Sequence, residues 1–182
     1  MPTNGNAKRI ALCGISAALS LLFMFLTWFP FATYALPAIA GLILVVPVIE
    51  YNRRVALVAY VAVSILSFLI APDREAALLF VAFFGYYPIL KSLLEKIPSR
   101  VAEWVLKMVI FNCAVVAAYA VVIHLFQMTD LLEEFNEYGS WGVPVLLAAG
   151  NVVFILYDIA ATQVISFYLA KWRKLLFKTP TR

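Results

Sequence analysis

Asn151 and Asp158 stand seven residues apart in the apolar segment "NVVFILYDIAATQVISFYLAKW". On a helix that spacing brings the two side chains to within about 20° of one face. Thr162 follows Asp158 by four residues and Ser166 follows Thr162 by four, so the sequence predicts a polar stripe more than two turns long. Hydrocarbon cannot solvate such a stripe, and an ionisable group at that depth is expected to face a bundle interior or a wet cavity. The chemistry on offer is recognition: a carboxylate and an amide can hold a ligand, or can hold neighbouring helices. A matching face is expected on the preceding apolar segment, where Asn112 and Tyr119 are also seven apart. With a short connection between the two segments, contact between these faces is expected. Lys91 and Lys107 are the basic residues that could reach Asp158, and each also has a glutamate four residues on or back, Glu95 and Glu103.

A second group lies in "FFGYYPILK". Pro88 has no amide hydrogen and Gly85 is a weak helix former, so a kink is expected there. A kink frees backbone groups that a neighbour or a ligand must satisfy. Tyr86 and Tyr87 flank that point, with rings able to stack on a planar ligand and hydroxyls able to hydrogen-bond it. No nucleophile–base pair or phosphate-binding loop accompanies these residues. Cys13, Cys113 and the single histidine, His124, make no metal-ligand spacing. The chain reads as a non-enzyme without cofactor or metal.

The elements that must position these residues follow from composition. Of 182 residues 65% are hydrophobic and 13% are charged, and the mean hydropathy is +0.95. A soluble domain carries about 25% charged residues. The apolar residues come in runs long enough for a hydrocarbon core about 30 Å thick. The fold class expected is an all-α integral membrane protein, one domain over residues 1–182. Six spans are expected near 10–29, 33–49, 55–71, 76–94, 101–126 and 144–170, the first retained in the membrane. All fourteen lysines and arginines except Arg74 fall on one side of this arrangement, which places both termini in the cytoplasm. The other side carries Asp73, Glu75 and the acidic loop "DLLEEFNEYGSW". The net charge of +4 is thus a topology signal and implies no nucleic-acid partner. Aromatic loops on the acidic side, "TWFPFATY" and "FNEYGSW", fit either an interfacial belt or the lid of a ligand site.

The start of the chain, "KRIALCGISAALSLLFMFLTWFPF", presents a flat surface of Ala11, Gly14 and Ala18 that would let another helix approach closely. In size, number of spans and this alanine-rich first span, the chain resembles the substrate-binding membrane subunits (S components) of energy-coupling factor transporters, the riboflavin-type members above all. The resemblance implies binding of a vitamin or similar micronutrient from outside a bacterial cell membrane. It also implies partners: a coupling transmembrane subunit, docked on Ala11, Gly14 and Ala18, and two cytoplasmic ATPases. Ligand-binding candidates by position are Tyr86, Tyr87, Asn112, Tyr119, Trp141 and Asn151, with Asp158 deeper, supporting the floor of the pocket. The acidic side would favour a neutral or cationic substrate. Two other readings share these features: an envelope-assembly scaffold, whose polar faces only hold helices together, and a lipid scramblase or carrier, with the stripe from Asn151 to Ser166 lining a groove open to lipid.

Overall fold

The computed structural model describes residues 4–29, 32–125 and 142–173. Among these residues every regular element is helical. Helix α1 (Asn4–Phe25) ends in a 3₁₀ turn, Leu26–Trp28. Two short helices follow, α2 (Ala35–Ile43) and α3 (Val45–Glu50). Then come α4 (Arg53–Ile70), α5 (Arg74–Leu79), a π-helical turn at Phe80–Phe84, and α6 (Tyr87–Leu94). Helix α7 (Arg100–Leu125) and α8 (Gly142–Phe167) are the longest, and α8 runs into a second π turn, Tyr168–Trp172.

Among the described residues five helices are long and apolar enough to cross a membrane: Ala7–Trp28, Arg53–Ile70, Arg74–Leu94, Arg100–Val121 and Leu147–Trp172. The remaining expected span corresponds to a shorter apolar helix, Ala35–Glu50. Its interruption at Leu44 has a local cause: Pro47 has no amide hydrogen for the carbonyl of Ile43, and its ring crowds that carbonyl. Pro37 sits in the first turn of α2, where a missing donor costs nothing. Large apolar side chains such as Ile10, Val58, Leu69 and Val101 are exposed around the bundle. A lipid environment explains that much exposed apolar surface and water does not. The chain is an all-helical membrane protein.

Polar caps set the helix starts. The Asn52 side chain accepts from the Val55 amide at 3.0 Å, and Asp73 accepts from Glu75 and Ala76 at 2.9 and 3.2 Å. Such caps are worth about 1 kcal/mol each. Two ends of the bundle can be told apart. One bears Asp73 and Glu75, where Tyr34 at the start of α2 donates to Glu75 at 3.0 Å. The other bears the lysines and arginines, where Arg173 meets Glu50 at 3.2 Å.

Among the described residues the core has two main parts and a small third around Leu78 and Ala118. Met24, Ala40, Leu44, Ala59, Val63, Ala76 and Phe80 join α1, α2, α4, α5 and the π turn. Ser20 ties α1 to α2 by donating to the Ala40 carbonyl at 2.9 Å. The second part is aromatic: Phe83, Phe84, Tyr87, Phe111, Phe154 and Tyr157, on the π turn, α6, α7 and α8.

The break expected at Gly85 and Pro88 is present as the π turn followed by Gly85 and Tyr86. The Gly85 amide bonds back five residues to Phe80 at 2.8 Å. The extra residue frees the Val81 carbonyl, which accepts from the Tyr60 hydroxyl at 2.6 Å. Pro88 frees the Phe84 carbonyl, which accepts from the Tyr157 hydroxyl at 3.3 Å. Neighbouring tyrosines therefore satisfy the freed groups.

Candidate functional site

Asp158 is the centre of a buried ion cluster. Lys91 of α6 places its Nζ 2.5 Å from Asp158 Oδ1. Lys107 of α7 reaches both carboxylate oxygens, at 3.1 and 3.3 Å. The Tyr87 hydroxyl donates to Oδ1 as well. Each lysine holds a second carboxylate on its own helix, Lys91 to Glu95 and Lys107 to Glu103, both at 2.8 Å. Lys91 and Lys107 are 1% and 2% exposed at the side chain, so the carboxylates replace the water these ammonium groups have lost. Four donor contacts converge on Asp158, three on Oδ1 and one on Oδ2, all from protein groups. It ties α6, α7 and α8 together. Lys91 and Lys107, counted by sequence among the residues that orient the chain, are structural members of this cluster.

About two turns along α8 toward the acidic end, Asn112 and Asn151 form a closed amide pair. Each donates to the other's carbonyl oxygen, at 2.9 and 3.0 Å. Their remaining amide hydrogens go one turn back along their own helices, to Met108 at 2.8 Å and Leu147 at 2.7 Å. The polar faces of α7 and α8 do meet. The expected stripe on α8 does not continue inward past Asp158: Thr162 donates to the Asp158 carbonyl at 2.9 Å, and both Thr162 and Ser166 are exposed. Steps of four residues turn about 40° each, so two steps carry the face out of the bundle.

Beside the amide pair, extending toward the acidic end, lies a cavity of about 280 Å³. Its aromatic walls are Tyr34, Phe83, Phe84, Phe111, Tyr119 and Phe154, with Gly150 of α8 completing one side. Phe111 and Phe154 stack with centroids 4.7 Å apart and planes 9° from parallel, and they belong to the packed aromatic core below. A cavity walled by rings, with a few polar groups at one end, is the usual form of a small-molecule site. The polar groups here are two hydroxyls. Tyr34 donates to Glu75, and Tyr119 is in hydrogen-bonding contact with Tyr34. Partial burial, the Glu75 charge and Tyr119 push the Tyr34 phenol above its ordinary pKa, so at neutral pH it remains a donor.

Of the ligand-binding candidates from sequence, Tyr119 lines this cavity. Tyr87 is buried under Asp158, and Tyr86 packs edge-on against Tyr60 and Phe83. Asn112 and Asn151 are paired with each other beside the cavity, and Asp158 lies about one helical turn beyond Phe154. Trp141 lies outside the described residues. The residues that sequence reasoning missed are Tyr34, Phe83, Phe84, Phe111, Gly150 and Phe154. Gly150 carried the one usable signal, a residue without a side chain immediately before a membrane asparagine and four before an aromatic.

The docking candidates Ala11, Gly14 and Ala18 are all exposed on α1. A Cβ added at Gly14 would meet nothing within 4 Å, and Gly14 borders a shallow groove of about 410 Å³ between α1 and α4, with Arg9 and Arg54 on its rim. That face is not used inside the bundle.

Fold and site together define a multi-pass helical membrane protein with a ligand-sized aromatic cavity near one end and a sealed, ion-paired interior toward the other. Comparison with protein-family models, with curated proteins and with solved structures gives no match.

Proposed function

We propose that this chain is the substrate-binding membrane subunit of a bacterial uptake system for a vitamin or similar small micronutrient. It would have six spans with both termini in the cytoplasm, and no enzymatic activity of its own. A coupling transmembrane subunit and two cytoplasmic ATPases would energise it. The observation that carries this reading is a ligand-sized cavity walled by aromatic rings, with a buried ion cluster on its basic side. Its floor rests on Phe111 and Phe154, with the amide pair beside them and the ion cluster beneath. The ion cluster ties α6, α7 and α8 together on the basic side of the cavity, which suits a binder that depends on other subunits for transport.

The positive-inside rule puts the basic end in the cytoplasm, so the cavity would lie toward the outer side. Helix Ala35–Glu50 is about 24 Å long. It would cross by drawing the bilayer slightly thinner around it. Asn151 and Asp158 are engaged by α7 and α6, which leaves the lipid-groove reading without its polar lining. The exposed small-residue face of α1 supplies a surface for the coupling subunit.

Gly14→Leu tests the partner assignment. Because the added side chain meets open space and leucine is a better helix former than glycine, the melting temperature of the purified protein is expected to be no lower than wild type. Affinity purification from gently solubilised native membranes should recover a coupling subunit and paired ATPases with the wild type, and at least tenfold less with the variant. Equal recovery with both proteins would contradict docking on this face. Recovery of cell-wall or division proteins in their place would favour the scaffold reading.

A further inference from the structure

Positive charge at the basic end of the bundle gathers around one cleft. Arg53 and Arg54, which open α4, and Lys96, just past the end of α6, line a space of about 550 Å³ together with Asn52 and Ser92. Among the described residues no carboxylate lines it. The acids nearest in sequence are engaged elsewhere, Glu50 by Arg173 at 3.2 Å and Glu95 by Lys91 at 2.8 Å. The Asn52 side-chain oxygen accepts from the Val55 amide, which leaves its NH2 group as a further donor. Three cations and an amide donor around one space suit an anion with several oxygens, such as a phosphate group.

What that phosphate is attached to follows from the surroundings. Arg54 also stands, with Arg9, on the rim of the groove between α1 and α4, so one side chain borders both the basic cleft and the groove. Away from the two arginines the groove is apolar, walled by Cys13, Ala17, Val58 and Ala62. From Arg9 to Ala17, and from Arg54 to Ala62, its walls run about 12 Å along the two helices. The cations stand at the level where the membrane surface falls. The spans of α1 and α4 begin at Ala7 and Arg53, and Lys96 follows closely on the span that ends at Leu94.

We propose that cleft and groove together hold one anionic phospholipid of the leaflet at the basic end. Its phosphate lies among Arg53, Arg54 and Lys96, and an acyl chain runs along the groove between α1 and α4. Basic pockets between membrane helices bind anionic headgroups, and each lysine or arginine near the surface strengthens the attraction about fivefold. A zwitterionic lipid would bring its own cation to a cleft that already holds three. Of the small-residue face only Gly14 borders the groove, so the lipid leaves Ala11 and Ala18 to a partner helix. The site is at the other end of the bundle from Tyr34 and Glu75 and does not depend on what the aromatic cavity holds.

Native mass spectrometry of the purified protein in a neutral detergent tests this, by titration with dioleoylphosphatidylglycerol or dioleoylphosphatidylcholine. Wild type should retain the anionic lipid about tenfold more tightly than the zwitterionic one. Arg54→Gln and Lys96→Gln should each weaken the anionic lipid about fivefold. Arg100→Gln removes the same charge at the same end but outside the cleft, and should bind like wild type. Ala62→Phe places a ring in the groove and should weaken the anionic lipid with the cleft intact. All four positions are exposed, and unchanged melting temperatures would show that the variants are folded. Equal retention of the two lipids, or an Arg100→Gln loss as large as that of Arg54→Gln, would overturn the proposal. If Ala62→Phe binds like wild type, no chain lies in the groove and the proposal also falls. Competition by sodium phosphate, beyond that of sodium chloride at equal ionic strength, would then mark the cleft as a site for free phosphate.

Discussion

Asp158→Ala is expected to be the most destabilising single change in the ion cluster. Breaking a buried ion pair by removing one partner costs about 3–5 kcal/mol, because the other charge is left without compensation. Here the lower end applies, since Lys91 keeps Glu95 and Lys107 keeps Glu103. For a chain of this size about 3 kcal/mol corresponds to a fall in melting temperature of roughly 6–12 °C. Removing one lysine should cost less. Lys91→Met leaves Asp158 with Lys107 and Tyr87, and Lys107→Met leaves it with Lys91 and Tyr87. Glu95 is 42% exposed, so Glu95→Gln should cost about 1 kcal/mol or less. The order of effects, Asp158 first, then the lysines, then Glu95, is the signature of a shared central acceptor. Thermal unfolding of the four variants in detergent measures it, and an Asp158→Ala protein that melts like wild type would refute the structural role given to the cluster.

Gly41→Ala is expected to destabilise the protein by about 1–3 kcal/mol, the range for overpacking, and to weaken ligand binding with it. A Cβ on Gly41 would run into the Phe84 carbonyl, with the carbonyl carbon 2.7 Å away and the Tyr157 hydroxyl 2.9 Å away. Backbone cannot rotate aside as a side chain can, so α2 would have to retreat from the π turn. The π turn carries Phe83 and Phe84 into the cavity and α2 begins at Tyr34's neighbour, so that retreat would separate two of its walls. Gly150→Ala is the control: its Cβ makes only ordinary contacts, and alanine favours the helix by about 1 kcal/mol over glycine. The first variant should melt lower than wild type and the second no lower. If Gly41→Ala melts with wild type, α2 and the π turn are not in the close contact described.

These two changes also mark what could be read in the sequence and what could not. The membrane class and most helix limits follow from run length and charge, because a bilayer requires long uncharged helices of any sequence that crosses it. The polar contacts were legible for a related reason. In a chain with 13% charged residues, Asp158 has few partners within reach, and Lys91 and Lys107 were the two available. The break near Gly85 and Pro88 was legible because proline removes a specific hydrogen bond. Its outcome was not: which groups would accept the freed carbonyls depends on Tyr60 and Tyr157, brought in from distant helices. The cavity was least legible. It is made by the placement of four helices and walled by residue types the chain has in quantity, fourteen phenylalanines and nine tyrosines. A search for polar residues led to Asn112, Asn151 and Asp158, which bind one another's helices, while the space lies beside rings that individually carry no signal.

The central claim is that the aromatic cavity holds a small molecule. The most direct measurement is mass spectrometry of the small molecules that remain with the protein purified from its native membranes, wild type beside Gly150→Leu. A metabolite enriched on the wild type and absent from the filled-cavity variant is the result expected. The same small-molecule profile from both proteins, with both folded, would contradict the account.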